Sequence, residues 1–363
     1  SSVQKYSMIW NYNNCGGDPN KNKKNTKNNP WKGYPYNSSE IPKDANPNYE
    51  ILKHYLKKSI SYGKSNKSNY FKVKKNINKI KEFTFNTKTD DFVIEQLNET
   101  ALLSYLMYVN GEIVIDEISP KERFGKIFTN KTRFRSASVG KSIISYITGH
   151  AICRGYVGGI HEPLDWDILE NTLYENAKLI DVLNMASGIQ DYYQDENFKN
   201  SNRWPNGHSV QSIMKKELKN SVAGKNKYFY ANMNTNVIAS YMVHKMGWKE
   251  YKKMLKEIFN EKVGIENHVV MHQPSNSKRS QHTLTYGMYI TRYDYLRIAI
   301  AMLNDWNNNT CEGRYLKSLY ENRIDKGFRP EDNTQGMSNS NHYAGQFYVG
   351  MSGKGDVPIF IMS

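Results

Sequence analysis

The chain has 363 residues, 38% of them hydrophobic, enough to build the core of one large domain or two modest ones. No run of about 18 apolar residues occurs, so no segment reads as a membrane-spanning helix. The net charge of +15 is concentrated at the start, where residues 1–82 hold 17 lysines, no arginine and 5 acidic residues, and the remainder is nearly balanced.

That leading stretch reads as a solvated Lys/Asn-rich segment, with contact to an anionic surface as the alternative. Its aromatic residues Trp31, Tyr34 and Tyr36 are too few and too irregular for nucleic-acid recognition. The opening SSVQKYSMIW shows no basic-plus-apolar leader. Residues 1–45 are rich in turn formers and lack periodicity. PNYEILKHYLKKSISYG carries one plausible helix, with apolar positions Ile51, Leu52, Tyr55 and Leu56. Residues 1–100 are therefore expected to be a basic N-terminal extension, and residues 101–363 the main domain.

Regular structure becomes clear near residue 102. LLSYLMYV, Asn110-Gly111 and EIVIDEI form a hairpin signal, because Asn-Gly suits a tight turn with positive φ. TRFRSA precedes a helix expected from about Val139 to Arg154 and stopped by Gly155. LIDVLNMASGI reads as a second buried helix, and Ser209 to Leu218 as a third. KYFYANMNTNVIASYMVHKMG and TYGMYITRYDYLRIAIAMLND each read as a short extended piece followed by a helix. GQFYVGMSGKGDVPIFIMS reads as two strands around a glycine-rich turn, and ending inside a strand pattern suggests that a further strand and helix belong to the domain.

The three cysteines, Cys15, Cys153 and Cys311, have no metal-ligand spacing, and Cys153 on an apolar helix reads as an inert core thiol. The nine histidines show no metal spacing either, so no metal or other cofactor is expected.

The chemistry centres on Ser138 and Lys141. Side chains three apart on a helix share a face, so the two can meet at the helix start. A serine hydroxyl is a weak nucleophile and needs a base. Burial against Ile143, Ile144 and Ile147 would disfavour the lysine's charged form and leave it able to take the proton. The motif also occurs at Ser2, Ser61, Ser212 and Ser275, but only Ser138 opens a long apolar helix. An N-capping serine beside a snorkelling lysine is the alternative on these residues alone. Tyr230 and Asn232 lie at an extended-to-helix junction, where a tyrosine can relay a proton and an asparagine can hold an amide or the lysine. The Gly-rich run from Gly350 to Gly355 can offer backbone N–H groups to an oxyanion.

Taken in this order, LMYVNGEIVIDE, FRSASVGKS, LIDVLNMASGI, FYANMN and YGMYITRYDYLRIA resemble the serine β-lactamase and penicillin-binding-protein superfamily. The likeness is to the branch of class C β-lactamases, D-alanyl-D-alanine carboxypeptidases, family VIII-type esterases and 6-aminohexanoate-dimer (nylon-oligomer) hydrolases. It spans residues 100–363. It implies an α+β fold, an antiparallel sheet flanked by helices plus a mostly helical subdomain. It implies Ser138 as acylated nucleophile, Lys141 as base, Tyr230 as proton relay and Asn232 as a positioning group. The oxyanion hole would be the N–H groups of Ser138 and Lys354, with Ser352 and Gly353 lining the substrate. Tyr192 and Tyr193 fall in the loop, with Asp191 and Asp195, that covers substrate in nylon-oligomer hydrolases. One position departs: the third motif usually opens with Lys or His, and here Met351 stands there. That argues for a small ester or amide as substrate. A penicillin-interacting enzyme, or a non-catalytic relative binding a peptide, glycan or protein, are the alternatives. The resemblance implies a periplasmic or cell-surface location, with the cytoplasm left open.

Overall fold

The computed structural model describes residues 70–194, 209–272, 285–327, 340–350 and 358–362, together with Lys53, Leu56 and Ile60. The expected helix near residue 50 is represented by those three residues, all helical and spaced three and four apart. The chain divides into two compact units. One comprises residues 1–62, 82–134 and 330–338, the other residues 63–81, 135–329 and 339–363. The division therefore does not fall at residue 100. Strand β1 (Tyr70–Val73) pairs antiparallel with Val269–His272, so part of the expected N-terminal extension belongs to the sheet of the second unit.

The first unit holds a three-stranded sheet, β2 (Thr84–Phe85), β3 (Ser104–Val109) and β4 (Glu112–Ile118), in the order β2-β4-β3. The hairpin β3–β4 forms as expected, with φ of 50° at Asn110 and 95° at Gly111. Two positive φ values in succession give the turn that matches strand twist, and Asn-Gly tolerates both. Helix α1 (Asp91–Glu99) is capped by Asp90, whose side chain accepts the Val93 N–H, and it buries Val93 and Leu97. Leu56 and Phe124 form a separate buried pair with Leu103, Ile127 and Phe134 packed around them.

The second unit carries the larger core. One sheet runs β1-β6-β7-β5, with β5 at Phe134–Arg135, β6 at Val269–His272 and β7 at Met288–Ile290. Another runs β11-β10-β9-β8, with β8 at Ile324–Asp325, β9 at His342–Ala344, β10 at Phe347–Val349 and β11 at Phe360–Ile361. Helix α2 (Val139–Cys153) is buried continuously from Gly140 to Ala151, the mark of a helix enclosed on all sides. Its end at Gly155, with φ of 75°, is where the sequence put it. Helices α3 (Leu179–Leu183), α4 (Val210–Lys216), α5 (Asn232–Lys256), α6 (Arg292–Asn307) and α7 (Cys311–Glu321) complete the unit. The aromatic piece before α5, expected to be extended, joins no ladder.

Cys153 is not an inert thiol. It is disulfide-bonded to Cys311 across 158 residues, joining the end of α2 to the start of α7. The apolar pattern of α2 concealed this because the pairing partner is fixed only when α7 packs against α2. Among the described residues, no helix is long and apolar enough to cross a membrane, and no cluster of metal-ligating side chains occurs.

Candidate active site

The strand β5 delivers the chain to a tight turn ahead of α2. Ser136 N–H donates to the Met288 carbonyl at 2.7 Å, and Met288 N–H donates back to Ser136 Oγ at 3.1 Å. Ser136 thereby ties the turn to β7. Ala137 follows with φ of 44°, a left-handed conformation that costs an alanine about 1 kcal/mol or more. The strain is concentrated on the residue before Ser138, as at sites where the surrounding fold over-determines the backbone. Gly140 then passes so close to the strand that a β-carbon would overlap the Tyr286 carbonyl oxygen.

Ser138 occupies the N-cap position of α2, half-buried and with helical φ and ψ, yet its side chain makes no capping hydrogen bond. Lys141 Nζ lies 3.1 Å from Ser138 Oγ. The lysine is fully buried, with no exposed surface, so it does not snorkel. Both parts of the capping-serine alternative fail. Burial, reinforced by the nearby Arg135 guanidinium, holds the Lys141 ammonium pKa well below the usual lysine range. Among the described residues no carboxylate pairs with it.

Tyr230 completes the group. Its ring lies 4.8 Å from Lys141 Nζ, and its hydroxyl is near enough to Ser138 for that side chain to act on its pKa. Burial and the neighbouring Tyr348 hold its phenol well above the ordinary tyrosine pKa, and Ser138 opposes this only in part. The site thus favours the neutral form of both groups, the phenol of Tyr230 and the amine of Lys141. Tyr230 stacks on Tyr348, ring centroids 6.2 Å apart, and meets Tyr343 edge-on at 6.3 Å.

The other expected residues divide. Asn232 begins α5, half-exposed, and among the described residues its carboxamide has no hydrogen bond to Lys141. The buried polar node of that helix is Asn234, whose Oδ1 accepts from Tyr174 and Ser187 at 2.7 and 2.8 Å. Tyr192 is not free to meet a substrate amide as its loop position suggested. Its hydroxyl accepts the Val222 N–H at 2.8 Å and donates to the Val222 carbonyl at 3.3 Å, pinning the loop to the 218–224 segment. Tyr193 lies in the turn Ile189–Gln194, and the Asp191 and Tyr193 side chains are outside the described residues, as is Asp195. Met351, Ser352, Gly353 and Lys354 are also outside them. The strands flanking that segment pair as expected, Val349 opposite Phe360.

Three residues near the site escaped the sequence. Tyr286 places its ring 3.7 Å from Lys141 Nζ. Arg135 supplies the positive charge felt by Lys141. Gln346, at φ of 78° in the β9–β10 turn, accepts from Ser142 on its carbonyl at 2.7 Å and from Thr235 on Oε1 at 2.6 Å. Its amide donates to the Leu183 carbonyl at 2.6 Å, so one side chain and its backbone join α2, α3 and α5. Of these, only Tyr286 had a sequence signal, its place directly before Gly287 in a strand leading to a helix.

No family model matches the chain, and no curated protein matches it. Solved structures do. A protein described as a 6-aminohexanoate-dimer hydrolase from Bacillus anthracis superposes with a TM-score of 0.57 at 15% identity, covering 89% of this chain and 86% of its own. A protein described as a β-lactamase from Bacteroides dorei superposes with a TM-score of 0.51 at 16% identity, covering 68% and 72%. At such identities the likeness is one of fold. The chain has the α+β fold of the serine β-lactamase and penicillin-binding-protein superfamily.

Proposed function

We propose that the protein is a serine hydrolase that cleaves a small ester or amide through an acyl-enzyme on Ser138. The observation that carries this is the 3.1 Å approach of a fully buried Lys141 amine to a serine hydroxyl that caps nothing. In acylation, Ser138 Oγ bonds to the substrate carbonyl carbon as its proton passes to Lys141 Nζ. The bond to the leaving alcohol or amine then breaks, and the proton reaches that group through the Tyr230 hydroxyl. Water repeats the sequence on the acyl-enzyme, releasing the acid and restoring Ser138. The Ser138 N–H, at the start of α2, is one oxyanion donor, and Lys354 N–H is the proposed second.

The neighbour's description as a 6-aminohexanoate-dimer hydrolase favours an amide, and Met351 in place of a lysine disfavours a dedicated β-lactam site, so both fit a small ester or amide. Convergence of Ser138, Lys141 and Tyr230 argues against a retired cleft that only binds. The disulfide between Cys153 and Cys311 favours an oxidising compartment, hence export. The test is labelling by a fluorophosphonate probe with peptide mapping, alongside turnover of p-nitrophenyl butyrate. Covalent adduct at Ser138 and a burst of p-nitrophenol are expected. Well-folded protein that takes no label and shows no burst would remove the proposal.

A further inference from the structure

A neutral amine has two N–H bonds and one lone pair. When the lone pair of Lys141 accepts the Ser138 hydroxyl proton, the two N–H bonds need acceptors of their own. Ser138 Oγ is the one hydrogen-bonding partner of Nζ among the described residues. The other near neighbours are two aromatic faces, Tyr286 at 3.7 Å and Tyr230 at 4.8 Å from ring centroid to Nζ. The Tyr286 ring is buried, and its backbone is anchored beside the helix start, where the Tyr286 carbonyl accepts from Ser136 Oγ at 3.2 Å.

We propose that Tyr286 is a positioning residue for the reaction of Ser138: its ring face holds an N–H of Lys141 and so aims the amine's lone pair at the Ser138 hydroxyl. This rests on the Ser138–Lys141 reading above. The choice of a ring over an oxygen has a physical reason. A carboxylate or carbonyl in that place would stabilise the ammonium and keep the base protonated. A π face gives direction while favouring the cation by less than burial disfavours it. The groups facing Nζ are Ser138 from α2 itself, Arg135 from β5, Tyr230 from the segment before α5 and Tyr286 from the segment before β7. None is an anion, so nothing among them restores the proton.

The test keeps the shape of the ring and changes its charge distribution. Tyr286→Phe is made first, then phenylalanine carrying one, two or three ring fluorines is placed at the same position. The rate of fluorophosphonate labelling of Ser138 is followed against pH. Tyr286→Phe should label within about twofold of the parent. Fluorination should slow labelling stepwise, about tenfold across the series, and move the acid limb to lower pH as the face becomes less able to hold a cation. A rate and limb unchanged through the series would overturn the proposal while leaving Ser138 and Lys141 in place. Failure of the parent protein to label at all would overturn the underlying reading with it.

Discussion

Gly140 and Tyr286 are in contact so close that no side chain fits between them: a β-carbon on Gly140 would overlap the Tyr286 carbonyl oxygen and stand 2.6 Å from Ser136 Oγ. The first turn of α2 is thereby pressed against the backbone that carries the Tyr286 ring. Gly140→Ala must push the two apart, at a cost of about 1–3 kcal/mol. The expected outcome is a lowered melting temperature together with a loss of Ser138 labelling larger than the stability loss explains. Calorimetry and labelling kinetics on the same sample check it.

Ser138→Ala should abolish turnover and labelling while leaving the circular dichroism spectrum unchanged and lowering the melting temperature only modestly, because the hydroxyl caps nothing but is the partner of the buried Lys141 amine. Lys141→Met should lower turnover by about 10²–10⁴-fold. It should not destabilise the protein, since an unbranched apolar chain replaces a buried amine whose charged form the site disfavours. A large drop in melting temperature for Lys141→Met would mean that the amine is a structural partner rather than a base.

The pH profile follows from the same groups. Lys141 must be neutral to act, and its folded pKa is held down, so kcat/KM should rise with pH through a single limb well below 10.5. Tyr230, held protonated, should add no further limb below its raised pKa. The linkage has the matching sign: between the folded and unfolded pKa of Lys141 the unfolded chain binds more protons, so stability rises with pH across that window. Lys141→Met should flatten that part of the stability curve.

Glu312 gives an independent test at the other end of the scale. Its hydrogen bond to His150, with 2.9 Å between Oε1 and Nδ1, lowers its pKa to about 2. A depressed carboxyl contributes stability above the unfolded value near 4.5 and loses it as pH falls through the folded value. Glu312→Gln should therefore be less stable than the parent at neutral pH and converge with it as the pH approaches about 2. Urea midpoints measured from pH 7 down to 2 check this.

The Cys153–Cys311 disulfide closes a span of 158 residues, so its loss should cost on the order of 2–5 kcal/mol. Thiol titration of the denatured, unreduced chain should find one thiol, and three after reduction. Cys153→Ser/Cys311→Ser should melt lower than the parent without changing the pH limb of labelling, because the bond lies at the far end of α2 from Ser138.

The sequence by itself determined the local features whose causes are local. Asn110-Gly111 dictates its hairpin because those residues accept positive φ, and Gly155 stops α2 for the same reason. The spacing of Ser138 and Lys141 brings them together because a helix puts residues three apart on one face. Tyr230 was legible only through the ordered set of motifs, since nothing local points its hydroxyl at Ser138. Tertiary structure alone decided the rest. Tyr192 and Tyr286 are both tyrosines in plausible places, yet one is spent on the Val222 backbone and the other lies over the Lys141 amine. Cys153 looked like a core thiol until α7 brought Cys311 beside it, and Tyr70–Val73 read as part of a basic extension until β6 gave it a partner. Contacts between residues more than a hundred positions apart leave no periodicity in the chain. They are fixed only when the core closes and each polar group must find its partner there.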